Sequence, residues 1–182
     1  MTHHVVALVP IKDFQAAKGR LRTELGDEAA SELARTLAAN VLSALHPLPV
    51  LVVTDNDTVS EFAQQRGATV QMQQREGLNA AVSEGYLSLV RTAEQVVIVH
   101  SDLAHPEGLG SFSYEDGITI WTDMNQEGTN VMCLPTGLPF TFSYGEGSAL
   151  RHRSHAREQG FEPRWITNSP WALDIDEPRH LI

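Results

Sequence analysis

The strongest constraint on the fold is a repeated order of segments in the first hundred residues. Short apolar runs lie at residues 5–9, 50–54, 69–72 and 96–99, and helical spacing of apolar residues lies between them at 28–45, 59–65 and 77–90. Short apolar strands that alternate with helices pack as a parallel sheet with right-handed crossovers. The order of segments therefore predicts an α/β fold, with each strand ending at the same edge of the sheet.

The second half of the chain is less regular. Strand-like runs occur at 117–121 and 130–134, helical spacing at 149–159, and two extended segments at 163–166 and 172–176. No internal repeat, low-complexity stretch or linker separates these segments from the first half. We therefore expect one domain over residues 1–182, with a mostly parallel but mixed sheet flanked by helices.

Composition excludes several classes of protein. The chain has 182 residues, a formal net charge of -10 and an isoelectric point near 5.1, which argues against a nucleic-acid partner. It has one cysteine, Cys133, so it forms no internal disulfide and fits a reducing compartment. We find no leader and no apolar run long enough to span a bilayer, so we expect a cytoplasmic protein without a membrane partner.

Cations follow the first predicted strand. Pro10 ends the apolar run, and Lys12, Lys18 and Arg20 come soon after it in a predicted loop. A cationic loop at the carboxyl edge of an α/β sheet is a common seat for phosphates. The alternative is a solvated loop with ordinary surface charges, and this stretch alone does not decide between the two.

Familiar catalytic motifs are absent from the sequence. It has no Gly-x-Gly-x-x-Gly after the first strand, no phosphate-binding P-loop and no His/Cys spacing typical of zinc. Cys133 falls inside a predicted strand, which is a poor position for a nucleophile. These absences argue against a dinucleotide-binding fold, a P-loop ATPase and a zinc enzyme.

Three aspartates remain as candidates for chemistry. Asp102 follows the fourth predicted strand, and Asp174 and Asp176 lie on one side of an extended segment. If they converge, their charges repel unless a divalent cation neutralises them, and Mg²⁺ prefers oxygen ligands. Taken one at a time, each aspartate could equally cap a turn or a helix.

Several small polar residues have two interpretations. Gly145 and Ser148 precede a helix and could bind an anion, or form a turn with Ser148 as the helix cap. At residues 128–130, the glycine could let a ligand approach the backbone closely and the threonine could offer a hydroxyl; alternatively, these residues form a hairpin turn. Four histidines are candidates for surface or capping positions, and the sequence names no partner for any of them: His100, His105, His152 and His155.

Read in order, these motifs form a recognisable series. They are VPIK at 9–12, AKGRL at 17–21, GLNAA at 77–81, DL at 102–103, GTN at 128–130, GEGS at 145–148 and DIDEP at 174–178. The series spans nearly the whole chain and resembles the 2-phospho-L-lactate guanylyltransferase family. Members of that family make the guanylylated intermediate of the deazaflavin coenzyme, factor 420.

The resemblance implies a Rossmann-like nucleotidyltransferase with Mg²⁺ and assigns roles to residues. The metal would be held by Asp102, Asp174 and Asp176, and the catalytic residues would be Lys18 and Asp102. The GTP side would comprise Pro10, Lys12, Lys18, Arg20 and Asn79. The phosphorylated three-carbon acid would be bound by Thr129, Gly145 and Ser148.

The resemblance does not determine the acid. Family members use phospholactate, phosphoenolpyruvate or 3-phosphoglycerate, and this chain departs from the family at Gly19, usually Ser, and at 104–106, where a Pro usually follows Asp-Leu directly. The segment from Asp102 to Gly128 has room for at most one short helix. Three alternative functions stay open: another nucleotidyltransferase, a glycosyltransferase of the same fold and a catalytically silent homologue. A homodimer also stays open.

Overall fold

Seven strands form one sheet at the centre of the computed structural model, which describes residues 3–176 and residue 180. The strands are β1 (His3–Pro10), β2 (Val50–Thr54), β3 (Thr69–Met72), β4 (Ala93–Val99), β5 (Thr119–Thr122), β6 (Thr129–Pro135) and β7 (Arg164–Ile166). Their order across the sheet is β3-β2-β1-β4-β6-β5-β7. Strand β6 is antiparallel to β4 and β5, while all the other neighbours are parallel. The predicted mostly parallel, mixed α/β sheet is confirmed.

Helices cover both faces of this sheet. They are α1 (Gly19–Leu25), α2 (Asp27–Ala44), α3 (Asp57–Gln64), α4 (Leu78–Leu89) and α5 (Ser148–Glu158), with a 3₁₀ turn at Pro170–Ala172. Successive residues of β1 point to opposite faces, so Val9 joins the core under α2 and α3 while Leu8 joins the core under α4. Burial on both faces explains why β1 is continuously apolar.

Helix α1 corrects the prediction that Lys12, Lys18 and Arg20 share one loop. The loop ends at Lys18, which has a left-handed backbone with φ 61°, and the helix begins at Gly19. Leu21 is fully buried and packs with Leu37, which fixes this short helix to α2. Seven residues are too few for apolar periodicity to reveal a helix in the sequence.

The long connection between β4 and β5 holds residues 173–175 in place. Residues 103–118 form turns and no helix, in line with the prediction of at most one short helix. The extended segment predicted at 172–176 forms only one isolated bridge, between Asp174 and Leu103. The backbone N–H of Ile175 donates to the Asp102 carbonyl at 3.0 Å. These contacts bring Asp174 and Asp176 beside Asp102.

The longest described helix, α2, has 18 residues and a mixed apolar and polar surface. Within residues 3–176 and 180, no helix has the combination of length and apolar character that crossing a membrane requires.

Candidate active site

Three carboxylates converge at the carboxyl edge of β4. Asp102, Asp174 and Asp176 each offer an oxygen, and these oxygens lie within 4.8 Å of one another. The predicted convergence is therefore observed. Together with Lys18 these residues form what we term the charged cluster.

Lys18 lies at the centre of the charged cluster. Its Nζ donates to Asp102 Oδ2 at 2.6 Å and to Asp176 Oδ1 at 2.9 Å, and its side chain is only 4% exposed. Burial alone would lower the pKa of Lys18, but the two carboxylates outweigh it and raise that pKa above its ordinary value. A left-handed backbone at a non-glycine residue is strained, and such strain concentrates at functional sites.

The carboxylates respond differently to the same surroundings. Burial raises the pKa of Asp174, and repulsion from Asp102 and Asp176 raises it further. Burial also acts to raise the pKa of Asp176, but the Lys18 ammonium offsets it and the net pKa is lowered. The cluster therefore holds more negative charge than one lysine balances.

The donor set fits a divalent cation. Asp102 Oδ1 is buried and has no hydrogen-bond partner among residues 3–176 and 180, while Oδ2 of the same carboxylate bonds Lys18. An oxygen left without a partner beside two further carboxylates is the kind of oxygen-rich site that Mg²⁺ favours.

Two adjoining cavities open beside the charged cluster. The first, of about 390 Å³, is lined by Pro10, Lys12, Lys18, His100, Asp102 and Asp176. The second, of about 280 Å³, shares Pro10 and Lys12 with it and extends to Asp55 and Gln73 at the ends of β2 and β3. The pair forms a groove in two parts, from the carboxylates across the end of β1 to the ends of β2 and β3.

Asn79 links the two halves of the molecule. Its Oδ1 accepts from the backbone N–H of Tyr144 at 2.6 Å, and its Nδ2 donates to the Tyr144 carbonyl at 3.3 Å. Asn79 lies in the first turn of α4, whereas Tyr144 belongs to the segment before α5. The carboxamide therefore holds that segment against the side of the groove formed by α4.

Thr129, Ser148 and His152 form a second polar group, which we term the neutral cluster. The Thr129 backbone N–H donates to Ser148 Oγ at 3.1 Å, and Ser148 Oγ lies 3.4 Å from Thr129 Oγ1. His152 Nε2 accepts from the Ser143 N–H at 2.9 Å, so in the neutral ring Nδ1 carries the proton and donates to Thr129 Oγ1 at 3.0 Å. All three side chains are buried.

Burial keeps the neutral cluster uncharged. It lowers the pKa of His152 to about 3, with smaller contributions from His155, Arg151 and His100. Ser148 is the first residue of α5, and Gly147, not Ser148, is the cap. The N–H groups of Ser148 and Ala149 donate to the carbonyls of Gly145 and Glu127. Exposed Gly145 lies at the surface of this region.

Comparison with known proteins identifies the family. The sequence pattern described as "Guanylyl transferase CofC like" matches residues 5–182. A phosphoenolpyruvate guanylyltransferase of Sphaerobacter thermophilus is 31% identical, with 97% of this chain and 90% of the relative aligned. The chain belongs to this guanylyltransferase family.

Other relatives of the chain are named for different acids. A 3-phospho-D-glycerate guanylyltransferase of Phenylobacterium zucineum is 26% identical over 97% of this chain and 87% of the relative. A 2-phospho-L-lactate guanylyltransferase of Methanocaldococcus fervens is 23% identical over 96% and 81%. A solved nucleotidyl transferase from Methanothermobacter shares the fold, with a TM-score of 0.66 and 14% identity over 98% of this chain and 94% of that one.

The structure places the remaining predicted residues in different surroundings. Pro10, Lys12 and Lys18 line the groove, whereas Arg20 is exposed on α1. Thr129 and Ser148 lie together but bond each other, and Asn79 bonds backbone. Their roles toward substrates stay predictions.

Two histidines differ from the sequence-based expectation. His152 was expected at the surface or in a cap, which is wrong, because it is fully buried. Its spacing of four residues from both Ser148 and Ala156 was the available signal, since these residues share one helix face. His100 lines the groove beside Asp102. Nothing in the sequence distinguished His100 from the other histidines, apart from its position at a strand end.

Proposed function

We propose that the protein transfers GMP from GTP to a phosphorylated three-carbon acid and releases pyrophosphate, as a step in deazaflavin coenzyme biosynthesis. The observation that carries the proposal is the charged cluster, which lies at the end of a two-part groove in a chain of the guanylyltransferase family. Two polyanions that react with each other need cationic groups between them, and the cluster supplies both a lysine and carboxylates suited to a metal.

Mg²⁺ would be held by Asp102, Asp174 and Asp176. When bound, the ion supplies positive charge that draws phosphate oxygens together and stabilises the charge that develops on them. The free Oδ1 of Asp102 and the raised pKa of Asp174 support this assignment, because both groups gain from a cation.

The nucleotide would bind in the groove on the β1 side. Its triphosphate would lie near Lys12 and Lys18, and its base in the cavity that reaches Asp55 and Gln73. Pro10 lines both cavities. Arg20 would add charge from the outer end of α1, and Asn79 would act by holding Tyr144 in position.

The acid would bind on the other side of the carboxylates, toward α5. Gly145 is exposed there and offers its backbone, with Thr129 and Ser148 behind it. Because the hydroxyls of Thr129 and Ser148 bond each other, we infer that they support this wall from within.

The chemistry needs no general base. A phosphate oxygen of the acid, already ionised at neutral pH, attacks the α-phosphorus of GTP, and the bond from that phosphorus to the bridging oxygen breaks. The electron pair leaves with pyrophosphate, whose growing charge Lys18 would stabilise. The product joins guanosine to the acid through a diphosphate, with one phosphorus from GTP and the other from the acid.

Phosphoenolpyruvate is the first acid to test. Relatives named for it are 28% to 32% identical to this chain, compared with 26% and 29% for two relatives named for 3-phospho-D-glycerate and 23% for one named for 2-phospho-L-lactate. We also place the reaction in the cytoplasm, where the free, buried Cys133 would stay reduced.

The test is a pyrophosphate-release screen of the purified protein. GTP, ATP and CTP are each combined with phosphoenolpyruvate, 3-phosphoglycerate and 2-phospho-L-lactate, with Mg²⁺ and with excess chelator. We expect release that requires GTP, one of the acids and Mg²⁺. Release with CTP and none with GTP would assign a different nucleotidyltransferase activity, and GTP binding without any release would identify a silent homologue.

A further inference from the structure

His100 is fixed at the boundary between the two halves of the site. It is the first residue after β4, and its backbone N–H donates to the Asn130 carbonyl of β6 at 3.1 Å. Its ring lies 5.1 Å from the ring of Tyr144, between centroids, on the segment that leads to Gly145. The imidazole is thus placed on the β6 side of the carboxylates, away from the cavity at the ends of β2 and β3.

The ring also faces the charged cluster. It lines the cavity of about 390 Å³ together with Lys18, Asp102 and Asp176. Its nitrogens do not belong to the set of ligand atoms that lie within 4.8 Å of one another, which consists of the three aspartates. His100 therefore flanks the predicted metal site and does not complete it.

The neighbouring rings of His100 and Tyr144 each carry a buried polar atom. His100 Nε2 and the Tyr144 hydroxyl are shielded from solvent, and neither makes a hydrogen bond within the part of the chain that the structure describes. Only 7% of the surface of Tyr144 is exposed. Buried polar atoms in native proteins are almost always bonded to protein or to another molecule, so the unpartnered ring nitrogen of His100, a residue that lines the cavity, indicates a position for a polar ligand.

We propose that His100 binds the phosphate of the acceptor acid through a ring N–H. This inference rests on the proposed function and names a residue that the family resemblance did not assign. The acid's phosphate must approach three carboxylates, and Lys18 is already shared between two of them. A neutral imidazole always keeps one N–H, so it can donate to that phosphate without being charged.

The test compares His100→Ala and His100→Gln with His4→Ala as the matched control. Gln keeps an N–H donor, and His4 is exposed near the opposite edge of the sheet, where it pairs with Glu94. Steady-state pyrophosphate release gives KM for the acid and for GTP. We expect the KM for the acid to rise about tenfold or more in His100→Ala, less in His100→Gln, and not at all in His4→Ala. The KM for GTP should change less than the KM for the acid, because the cavity proposed for the base, which reaches Asp55 and Gln73, is not lined by His100.

Further measurements separate the alternatives. Titration of phosphoenolpyruvate into the protein with Mg²⁺ and α,β-methylene-GTP measures acid binding without turnover, and we expect the same loss in His100→Ala. Unchanged binding, or an equal loss for both substrates, would overturn the assignment. Loss of Mn²⁺ binding in His100→Ala would make the histidine a metal ligand and also overturn it. If wild-type protein binds the acid but releases no pyrophosphate, the proposed function fails while the binding assignment stands.

Discussion

The charged cluster and the neutral cluster occupy the same edge of the sheet but are built in opposite ways. The charged cluster opens into a groove, and its Asp102 Oδ1 bonds none of the described residues. The neutral cluster is closed, because the polar side-chain atoms of Thr129, Ser148 and His152 bond one another or backbone. Unsatisfied polar atoms are costly to keep in a fold, so an open cluster indicates binding and a closed one indicates support.

The difference follows from the direction of the strands. Asp102 lies just beyond the end of β4, where side chains lie free of the ladder. Thr129 begins the antiparallel β6 and is held in the ladder opposite Thr122, so it packs inward against α5. The same edge of the sheet therefore has an open charged cluster at the end of β4 and a closed neutral cluster at the start of β6.

The largest expected effect comes from breaking the charged cluster. Asp102→Asn removes one of three converging carboxylates and should reduce turnover by roughly 100-fold or more, since charge stabilisation at the reacting phosphates is lost. The thermal midpoint should stay close to that of the wild type. Asp57→Asn is the control, because Asp57 is exposed in the first turn of α3. Full activity of Asp102→Asn would remove this aspartate from the site.

Replacing Lys18 by Met separates its pairing with the carboxylates from its proposed stabilisation of the leaving pyrophosphate. Lys18→Met removes the ammonium that bonds Asp102 and Asp176, so the free protein should bind Mn²⁺ more tightly than the wild type does. Turnover should nevertheless fall by roughly 10- to 100-fold, since the leaving pyrophosphate loses a cation. Electron paramagnetic resonance measures the free Mn²⁺. Weaker Mn²⁺ binding in this variant would show that Lys18 does not compete for the metal position.

How much the sequence could predict depends on distance along the chain. The alternation of apolar runs and helices predicts β1 to β4, because that signal is local. The convergence of Asp174 with Asp102 was expected from strand ends, yet the element that causes it is the isolated bridge to Leu103, which no local pattern encodes. The hydrogen bonds of buried His152 reach Ser143 and Thr129, which lie outside α5, so the sequence of the helix does not encode them.

The neutral cluster should respond to pH through stability. Because burial lowers the pKa of folded His152 from 6.5 to about 3, the unfolded chain binds more protons below 6.5. The free energy of unfolding therefore has its full His152 contribution above pH 6.5. It should lose about 1.4 kcal/mol for each pH unit below that value, down to the folded pKa. Urea unfolding at pH 7 and pH 5 measures this loss, and His152→Gln should flatten it. An equal slope in both proteins would contradict a buried, neutral His152.

The smallest expected effect is that of Ser148→Ala. Losing the hydroxyl that accepts from the Thr129 N–H should lower the free energy of unfolding by about 1 kcal/mol. If Ser148 only supports the wall, KM for GTP and for the acid should both stay close to wild type. A selective rise in the acid's KM would instead place the Ser148 hydroxyl in direct contact with that substrate.

The most direct test of the account is Mn²⁺ binding to the complex with α,β-methylene-GTP. We expect wild-type protein, Asp57→Asn and Ser148→Ala to bind the ion with similar affinity, and Asp174→Asn to lose most of that binding, because only the last variant changes the charged cluster. Equal Mn²⁺ binding by wild type and Asp174→Asn would contradict the claim that the three aspartates form a metal site. Loss of binding in Ser148→Ala would contradict the division into an open charged cluster and a closed neutral one.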